Sequence, residues 1–159
     1  MTEQSNTKLK AGDQAPDFTL KDANNNDVHL HDFRGRPVVL VFYPYDWSGT
    51  CTNEMNLLQE VLPDFEQKSA TILGISADSR HSHKAWAEQL GITFPLLADR
   101  KAEAIRAYGV QNPDGAAERA TFVVDENGKI AYADVSPERA IIPEIPKVFD
   151  ALEQLEGSK

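Results

Sequence analysis

The sequence predicts an α/β sandwich with a central mixed β-sheet, helices on both faces and a β-hairpin at the N-terminal end. Two near-continuous apolar runs of strand length, residues 38–43 and 70–76, are typical of parallel strands that are buried on both faces. Each run is followed by a helical pattern, and right-handed crossovers make two such strands parallel. Two later strand patterns are joined by an Asn-Gly turn, which favours an antiparallel hairpin.

The N-terminal hairpin is predicted from a polar turn between two short strand patterns. It begins near Asp17, turns through residues 22–27 and returns through residues 28–30. Residues 34–37 contain a glycine and a proline, which separate the hairpin from the first buried strand. Pro44 ends that strand.

The first long helix is predicted from its caps and its apolar spacing. Ser48, Thr50 and Thr52 are candidate N-terminal caps. Apolar side chains then recur at helical spacing, at Met55, Leu57, Leu58, Val61 and Leu62. We expect Pro63 to kink or restart this helix, because proline cannot donate the backbone hydrogen bond of a helix interior.

The middle of the chain repeats the order of strand and helix. After the strand at residues 70–76, Ser79 or Ser82 caps a helix that ends near Gly91. Residues 94–97 then form a short strand or an extended segment.

The last third of the chain completes the fold. Residues 101–108 form a helix closed by Gly109, and strands at residues 120–124 and 130–135 form the hairpin. An amphipathic helix runs from about residue 144 to residue 155. The order strand, helix, strand, helix, hairpin, helix is that of a thioredoxin-like α/β sandwich.

Length and composition indicate one acidic domain. The 159 residues suit a single domain over residues 1–159, with a flexible tail at residues 1–9. A net charge of −9 excludes nucleic acid as a partner, since that interaction needs clustered Lys and Arg. No apolar stretch approaches the roughly 20 residues that span a bilayer. Residues 1–10 lack the apolar core of a signal peptide, so we expect a cytoplasmic protein without membrane partners.

Cys51 is the only cysteine of the chain, and its position indicates a reactive thiol. It follows a buried strand and lies at the predicted start of a helix, where backbone N–H groups and the helix dipole stabilise negative charge on sulfur. Such loops present groups at the carboxyl edge of an open α/β sheet. We therefore predict that Cys51 ionises readily and is a nucleophile.

The residues around Cys51 resemble the active site of the peroxiredoxin (AhpC/TSA) family, whose pattern is a proline, three residues, threonine or serine, two residues and a cysteine. Pro44, Ser48 and Cys51 match it. The similarity extends over roughly residues 8–155 and includes Gly12-x-x-Ala15-Pro16-x-Phe18-x-Leu20, Gly91-x-x-Phe94-Pro95-Leu96-Leu97 and Arg119-x-Thr121-Phe122-Val123-Val124-Asp125. The chain is most similar to the bacterioferritin-comigratory (Q-type) group and the one-cysteine E-type alkyl hydroperoxide reductases.

The resemblance implies an antioxidant enzyme that reduces hydrogen peroxide and organic hydroperoxides with its thiol. Cys51 would attack a peroxide oxygen as a thiolate and become a sulfenic acid. Ser48 Oγ would hydrogen-bond the peroxide, and Pro44 would shield the pocket from water. Arg119 would lie beside Cys51, where its fork of donors can stabilise both the thiolate and the developing anion.

Two further residues would support these four. The backbone N–H of Thr50 would add a donor at the helix start. Glu54 would orient Arg119, although its negative charge opposes thiolate formation if it lies too close to the sulfur. The resemblance implies no metal and no cofactor.

Two positions depart from the family pattern. Ser48 stands where most members have threonine, which keeps the hydroxyl group. Asn56 stands five residues after Cys51, where many Q-type members have a resolving cysteine, so no intramolecular disulfide can form. The reducing thiol must come from thioredoxin, glutaredoxin or a low-molecular-weight thiol, or from Cys51 of a second copy. The protein would be a monomer or a homodimer.

Other functions remain open. A redox sensor would share the oxidation step but pass it to one client protein, and a binding or chaperone protein of the same fold would not turn over peroxide. Glutathione-peroxidase chemistry is disfavoured by the Pro-x-x-x-Ser-x-x-Cys pattern. A dithiol oxidoreductase is excluded, because it needs a second cysteine.

Two pairs of histidines, His29 with His31 and His81 with His83, raise the question of a metal site. A closed zinc site needs four ligands in tetrahedral geometry, whereas these pairs are far apart in sequence. On a helix, the second pair would also point in different directions. We therefore expect exposed polar surface at the histidines.

Overall fold

The structure, a computed structural model, describes residues 9–136 and 144–157. A mixed sheet of seven strands runs through it in the order β2-β1-β5-β4-β3-β6-β7. The strands are β1 (Thr19–Lys21), β2 (Asp27–His29), β3 (Val38–Phe42), β4 (Thr71–Ser76), β5 (Leu96–Ala98), β6 (Ala120–Val124) and β7 (Ile130–Val135). The helices are α1 (Gly49–Gln67), α2 (Arg80–Leu90), α3 (Glu103–Ala107) and α4 (Ile145–Gly157).

The sheet confirms the predicted strand directions. β3 and β4 are parallel, as are β4 and β5, which is the arrangement that right-handed crossovers through α1 and α2 produce. β6 pairs antiparallel with β3, and β7 with β6. β1 and β2 form the predicted N-terminal hairpin, and β1 also pairs antiparallel with β5. The result is a mixed sheet in which β3 and β4 lie inside and β2 and β7 form the edges.

Both faces of the sheet are covered, which explains the unbroken apolar run in β3. Successive side chains of a strand point to opposite faces, so Leu40 and Val41 belong to different core clusters. One cluster is built with α3 and the N-terminal segment, and the other with α1, α2 and α4. Phe65 of α1 and Phe149 of α4 stack with ring centroids 4.3 Å apart, which joins two helices on the second face.

Most helix and turn signals act as predicted. Ser48 caps α1 and Ser79 caps α2 through their side-chain oxygens. Gly91 ends α2 in the left-handed conformation at φ 73°, where glycine avoids the strain that a Cβ causes. In the turn between β6 and β7, one Asp125 carboxylate oxygen accepts the N–H groups of Asn127 and Lys129.

Four boundaries differ from the sequence prediction. α1 continues through Pro63 without a restart. The chain after β2 enters a 3-10 turn at Leu30–Phe33 instead of extending the strand. β5 covers Leu96–Ala98, so it begins two residues after the start of the predicted segment at residues 94–97. α3 begins only at Glu103, because the Asp99 carboxylate accepts backbone N–H groups at its first turn.

Parts of the sequence prediction fall outside the described residues. The flexible tail at residues 1–9 does so except for residue 9. Within the described ranges, no helix combines the length and the apolar character that crossing a bilayer requires.

Candidate active site

The thiol lies where the central strand passes into the longest helix. Cys51 is the third residue of α1, and Ser48 precedes the helix as its cap. Ser48 Oγ accepts the backbone N–H of Cys51 at 3.1 Å, and its carbonyl oxygen accepts the N–H of Thr52 at 2.9 Å. The hydroxyl that the family pattern assigns to peroxide is therefore fixed one helical turn from the sulfur.

Strand pairing brings Arg119 to this helix start. β6 runs antiparallel to β3 with Ala120 opposite Phe42, so the residue before β6 lies at the end of β3, beside the start of α1. Arg119 is 2% exposed, and its Nη2 lies 3.1 Å from Cys51 Sγ. A guanidinium group thus faces the only thiol of the chain.

Glu54 holds the other end of the same guanidinium. It lies three residues after Cys51, so both side chains project from one face of α1. Arg119 Nη1 donates to Glu54 Oε1 at 2.5 Å, and the pair is almost completely buried. Burial raises the pKa of Glu54 from 4.5 to about 7, although the charge and the hydrogen bond of Arg119 oppose the rise. The buried guanidinium of Arg119 therefore contacts two acidic groups, the thiol of Cys51 and the carboxyl group of Glu54.

Two other predicted residues lie in the same loop and helix start. Pro44 is buried in the loop between β3 and α1, and Thr50 is the half-buried second residue of α1. Cys51 itself has 0% relative exposure. The protein therefore covers the sulfur completely in this conformation.

The histidines do not behave as one class. His29 and His31 stack at 5.1 Å, and His31 bonds to Asp17 at the surface. His83, in contrast, is completely buried, so the expectation of exposed polar surface is wrong for it. It lies one helical turn before the buried Trp86, a spacing that already indicated the inner face of α2. Among the described residues, no three potential ligands cluster to hold a metal.

A second polar cluster, which was not predicted from the sequence, lies in the loop before Ser48. The carboxylate of Asp46, in the loop before Ser48, lies 2.7 Å from Nδ1 of His83 and accepts the hydroxyl of Tyr43, also at 2.7 Å. The available signal was a charged residue inside an otherwise apolar and aromatic loop segment. Nothing in the sequence indicated that its partner lies 37 positions later.

Comparisons with known proteins agree with the fold. The AhpC/TSA family model matches residues 11–133. Alkyl hydroperoxide reductase E of Mycobacterium tuberculosis is 44% identical over 131 residues, which cover 80% of this chain and 86% of that protein. The solved structure of Mycobacterium tuberculosis AhpC superposes with a TM-score of 0.87 at 28% identity and covers 96% of both chains. Peroxidoxin BcpB from the same organism gives a TM-score of 0.81 at 27% identity, covering 95% of this chain and 99% of that chain.

Proposed function

The chain belongs to the AhpC/TSA family of peroxiredoxins, and from that premise we propose that Cys51 is the thiol with which this thiol peroxidase reduces its substrates. The observation that carries the assignment is the contact of 3.1 Å between Arg119 Nη2 and Cys51 Sγ in a buried site. A guanidinium without water around it stabilises a thiolate and the anions that form from it more strongly than an exposed one.

The reaction is a displacement at oxygen. The thiolate of Cys51 attacks the terminal oxygen of R–O–OH, so that an S–O bond forms while the O–O bond breaks. Sulfur is oxidised to the sulfenic acid, and the peroxide is reduced to an alkoxide, or to hydroxide when the substrate is hydrogen peroxide. That anion then takes a proton to leave as an alcohol or as water.

The neighbouring groups stabilise the charge as it moves from sulfur to the leaving oxygen. Arg119 presents several N–H donors in one plane, so it can contact the sulfur and a peroxide oxygen at once. Ser48 Oγ and the backbone N–H groups at the start of α1 supply further donors. Glu54 holds the guanidinium in position through its Nη1. Pro44, buried in the loop, limits the access of water.

Return to the thiol needs reductant from outside the chain. Attack of an external thiol on the sulfenic acid forms a mixed disulfide and releases water, and a second thiol then frees Cys51. Thioredoxin, glutaredoxin and low-molecular-weight thiols are the candidate reductants. A reducing cytoplasm supplies all three, and the protein acts there as a monomer or a homodimer.

The first test is stopped-flow tryptophan fluorescence of the reduced protein mixed with hydrogen peroxide and, separately, with an alkyl hydroperoxide. We expect rapid second-order oxidation that disappears in Cys51→Ser and falls by about 100-fold or more in Arg119→Ala. Arg100→Ala, at an exposed arginine, is the matched control and should react like the wild type. Dimedone trapping followed by intact mass measurement identifies the sulfenic acid.

Two results would count against the assignment. Oxidation of the wild type no faster than that of free cysteine would favour a binding or chaperone protein of the same fold. Rapid oxidation that only one client protein can reverse would favour a redox sensor.

A further inference from the structure

A buried, hydrogen-bonded pair of side chains outside the reacting group connects the loop before Ser48 to the rest of the molecule. The side chains of Asp46 and His83 have 0% exposure, and His83 Nδ1 lies 2.7 Å from Asp46 Oδ2. Tyr43 and Ser82 complete the cluster by donating their hydroxyl groups to the same carboxylate, at 2.7 Å and 2.8 Å. We call these four residues the loop clamp.

The hydrogen bonds of the loop clamp give each polar group a partner. Asp46 accepts from the hydroxyl groups of Tyr43 and Ser82, and its Oδ2 also lies in hydrogen-bond contact with Nδ1 of His83. The other ring nitrogen of His83, Nε2, lies 3.0 Å from the carbonyl oxygen of Leu97, which can only accept. Nε2 of His83 therefore carries hydrogen, and the contact of 2.7 Å between Nδ1 and Asp46 Oδ2 holds a proton that the two groups share. The pKa of Tyr43 is raised by burial and by Asp46, which keeps its hydroxyl a donor.

The loop clamp ties the loop to three other elements. His83 and Ser82 belong to α2, and Leu97 belongs to β5. The backbone N–H of Asp46 donates to Asp78 Oδ2 at 2.8 Å, just beyond β4. Both the side chain and the backbone of one loop residue are thus fixed from outside the loop.

The loop needs such support because its backbone is strained. Trp47 has φ 73°, a left-handed conformation that is unfavourable for a bulky side chain. Its indole Nε1 donates to Ser82 Oγ at 3.1 Å, which connects it to the loop clamp. The next residue is Ser48, whose Oγ accepts the N–H of Cys51. A shift at Trp47 therefore displaces the hydroxyl and the helix start that surround the thiol.

We propose that Asp46 and His83 are positioning residues, which hold the loop in the conformation that places Pro44 and Ser48 around Cys51. The expected effect on the rate of peroxide oxidation rests on the proposed peroxidase function. The expected effect on the conformation of the loop does not. A misplacement of about 1 Å in an oriented site costs on the order of 100-fold in rate. The loop clamp also keeps the sulfur covered, since Cys51 has no exposed surface while the loop is held.

The test uses three variants, Asp46→Asn, His83→Gln and the combination of the two. The control is His81→Gln, at an exposed histidine two positions before His83 on the same helix. Each protein is assayed for peroxide oxidation, for alkylation of Cys51 by iodoacetamide and for tryptophan emission. We expect each single variant to lose about 10- to 100-fold in peroxide rate while alkylation becomes severalfold faster. The emission should shift as Trp47 moves with the released loop, and His81→Gln should match the wild type.

The ratio of the two rates separates positioning from simple structural support. A residue that only stabilises the fold would lower the urea midpoint but leave the peroxide-to-alkylation ratio of the folded protein unchanged, which would overturn the proposal. The double variant should react with peroxide no more slowly than the slower single variant, because both substitutions break the same contact between Asp46 and His83. Additive losses would also overturn the proposal.

Two further results keep the inference separate from its premise. If a single variant fails to fold, Ser82→Ala, which removes only the link between Trp47 and Asp46, should still lower the ratio. If wild-type protein does not react with peroxide, the proposed function fails. Faster alkylation and shifted emission in Asp46→Asn would still support the loop clamp, and unchanged values of both would refute it.

Discussion

At the scale of single residues, the site is governed by one cation between two acids. Arg119 contacts the sulfur of Cys51 with one nitrogen and the carboxylate of Glu54 with another, and all three side chains are buried. In a poorly solvated interior, a second negative charge beside one cation is costly. The protonation of Glu54 is therefore linked both to the charge at the thiol and to the stability of the fold.

Replacing Glu54 by glutamine should change how stability depends on pH. The pKa of Glu54 is about 7, against 4.5 for the ordinary carboxyl, so between these values the folded protein binds a proton that the unfolded chain has released. The free energy of unfolding of the wild type therefore falls as the pH rises through this window, by on the order of 3 kcal/mol. Glu54→Gln lacks this contribution.

Urea unfolding of both proteins at about pH 5 and about pH 8 measures the difference. We expect Glu54→Gln to gain stability relative to the wild type as the pH rises. A wild type that becomes more stable than the variant at the higher pH would show that Arg119 keeps Glu54 ionised and that burial is the weaker effect.

At the scale of secondary structure, the connection from β3 to α1 sets the geometry of the site. A strand buried on both faces fixes where the loop starts, and the capped helix start fixes where it ends. The antiparallel pairing of β6 with β3 adds Arg119 from a distant part of the sequence. Each of these elements is rigid, so small side chains in the loop can be placed accurately.

The cap of α1 should contribute measurably to stability. Ser48→Ala removes the oxygen that accepts the N–H of Cys51, and loss of such a cap typically costs about 1 kcal/mol. We expect a lower urea midpoint together with slower peroxide oxidation. Ser48→Thr keeps the hydroxyl and should retain both properties. Equal stability of Ser48→Ala and the wild type would mean that water replaces the cap.

Close packing around β4 gives a second prediction at this scale. A Cβ on Gly74 would lie 2.7 Å from Leu96 Cδ2 and 3.5 Å from Tyr43 Cε1, inside a filled core. Gly74→Ala should therefore lower the free energy of unfolding by about 1–3 kcal/mol. Gly49→Ala is the matched control, because no atom lies within 4 Å of its added Cβ. Thermal unfolding measures the melting temperature of each variant. Equal melting temperatures for Gly74→Ala and Gly49→Ala would contradict the packing argument.

At the scale of the whole molecule, the fold encloses a single thiol, and the chain has no second thiol with which it could form a disulfide. The chain has one cysteine, and that cysteine is buried in the core cluster formed with α1. Asn56, where Q-type relatives of the resembled group place a second cysteine, is exposed on the same helix. Oxidised Cys51 therefore depends on a thiol that approaches from solution.

The oxidised protein should remain a single covalent chain. Two buried Cys51 side chains cannot approach to the roughly 4 Å between Cβ atoms that a disulfide requires unless both sites open. After one equivalent of peroxide, we expect non-reducing denaturing electrophoresis to show only monomer, and excess external thiol to restore full activity. A disulfide-linked dimer would instead identify Cys51 of a second copy as the resolving thiol.

Features that depend on local chemistry were predictable from the sequence. Apolar runs predicted β3 and β4, the Asn-Gly turn predicted the pairing of β6 with β7, and Ser48 was a recognisable cap. The spacing of Pro44, Ser48 and Cys51 predicted the thiol chemistry, since these residues lie within one short segment. The boundaries of elements were less predictable. For example, α1 continues through Pro63, because Leu62 before it and Phe65 after it are packed in the core.

Tertiary structure alone decided the contacts between distant segments. His83 looked like half of an exposed pair, yet the fold buries it against Asp46. The family resemblance implied that Arg119 lies beside Cys51, but the physical cause is the antiparallel pairing of β6 with β3. The raised pKa of Glu54 follows from its burial there. The physical reason is that burial and charge pairing depend on groups far apart in the chain, whereas strand, helix and turn preferences depend on neighbours.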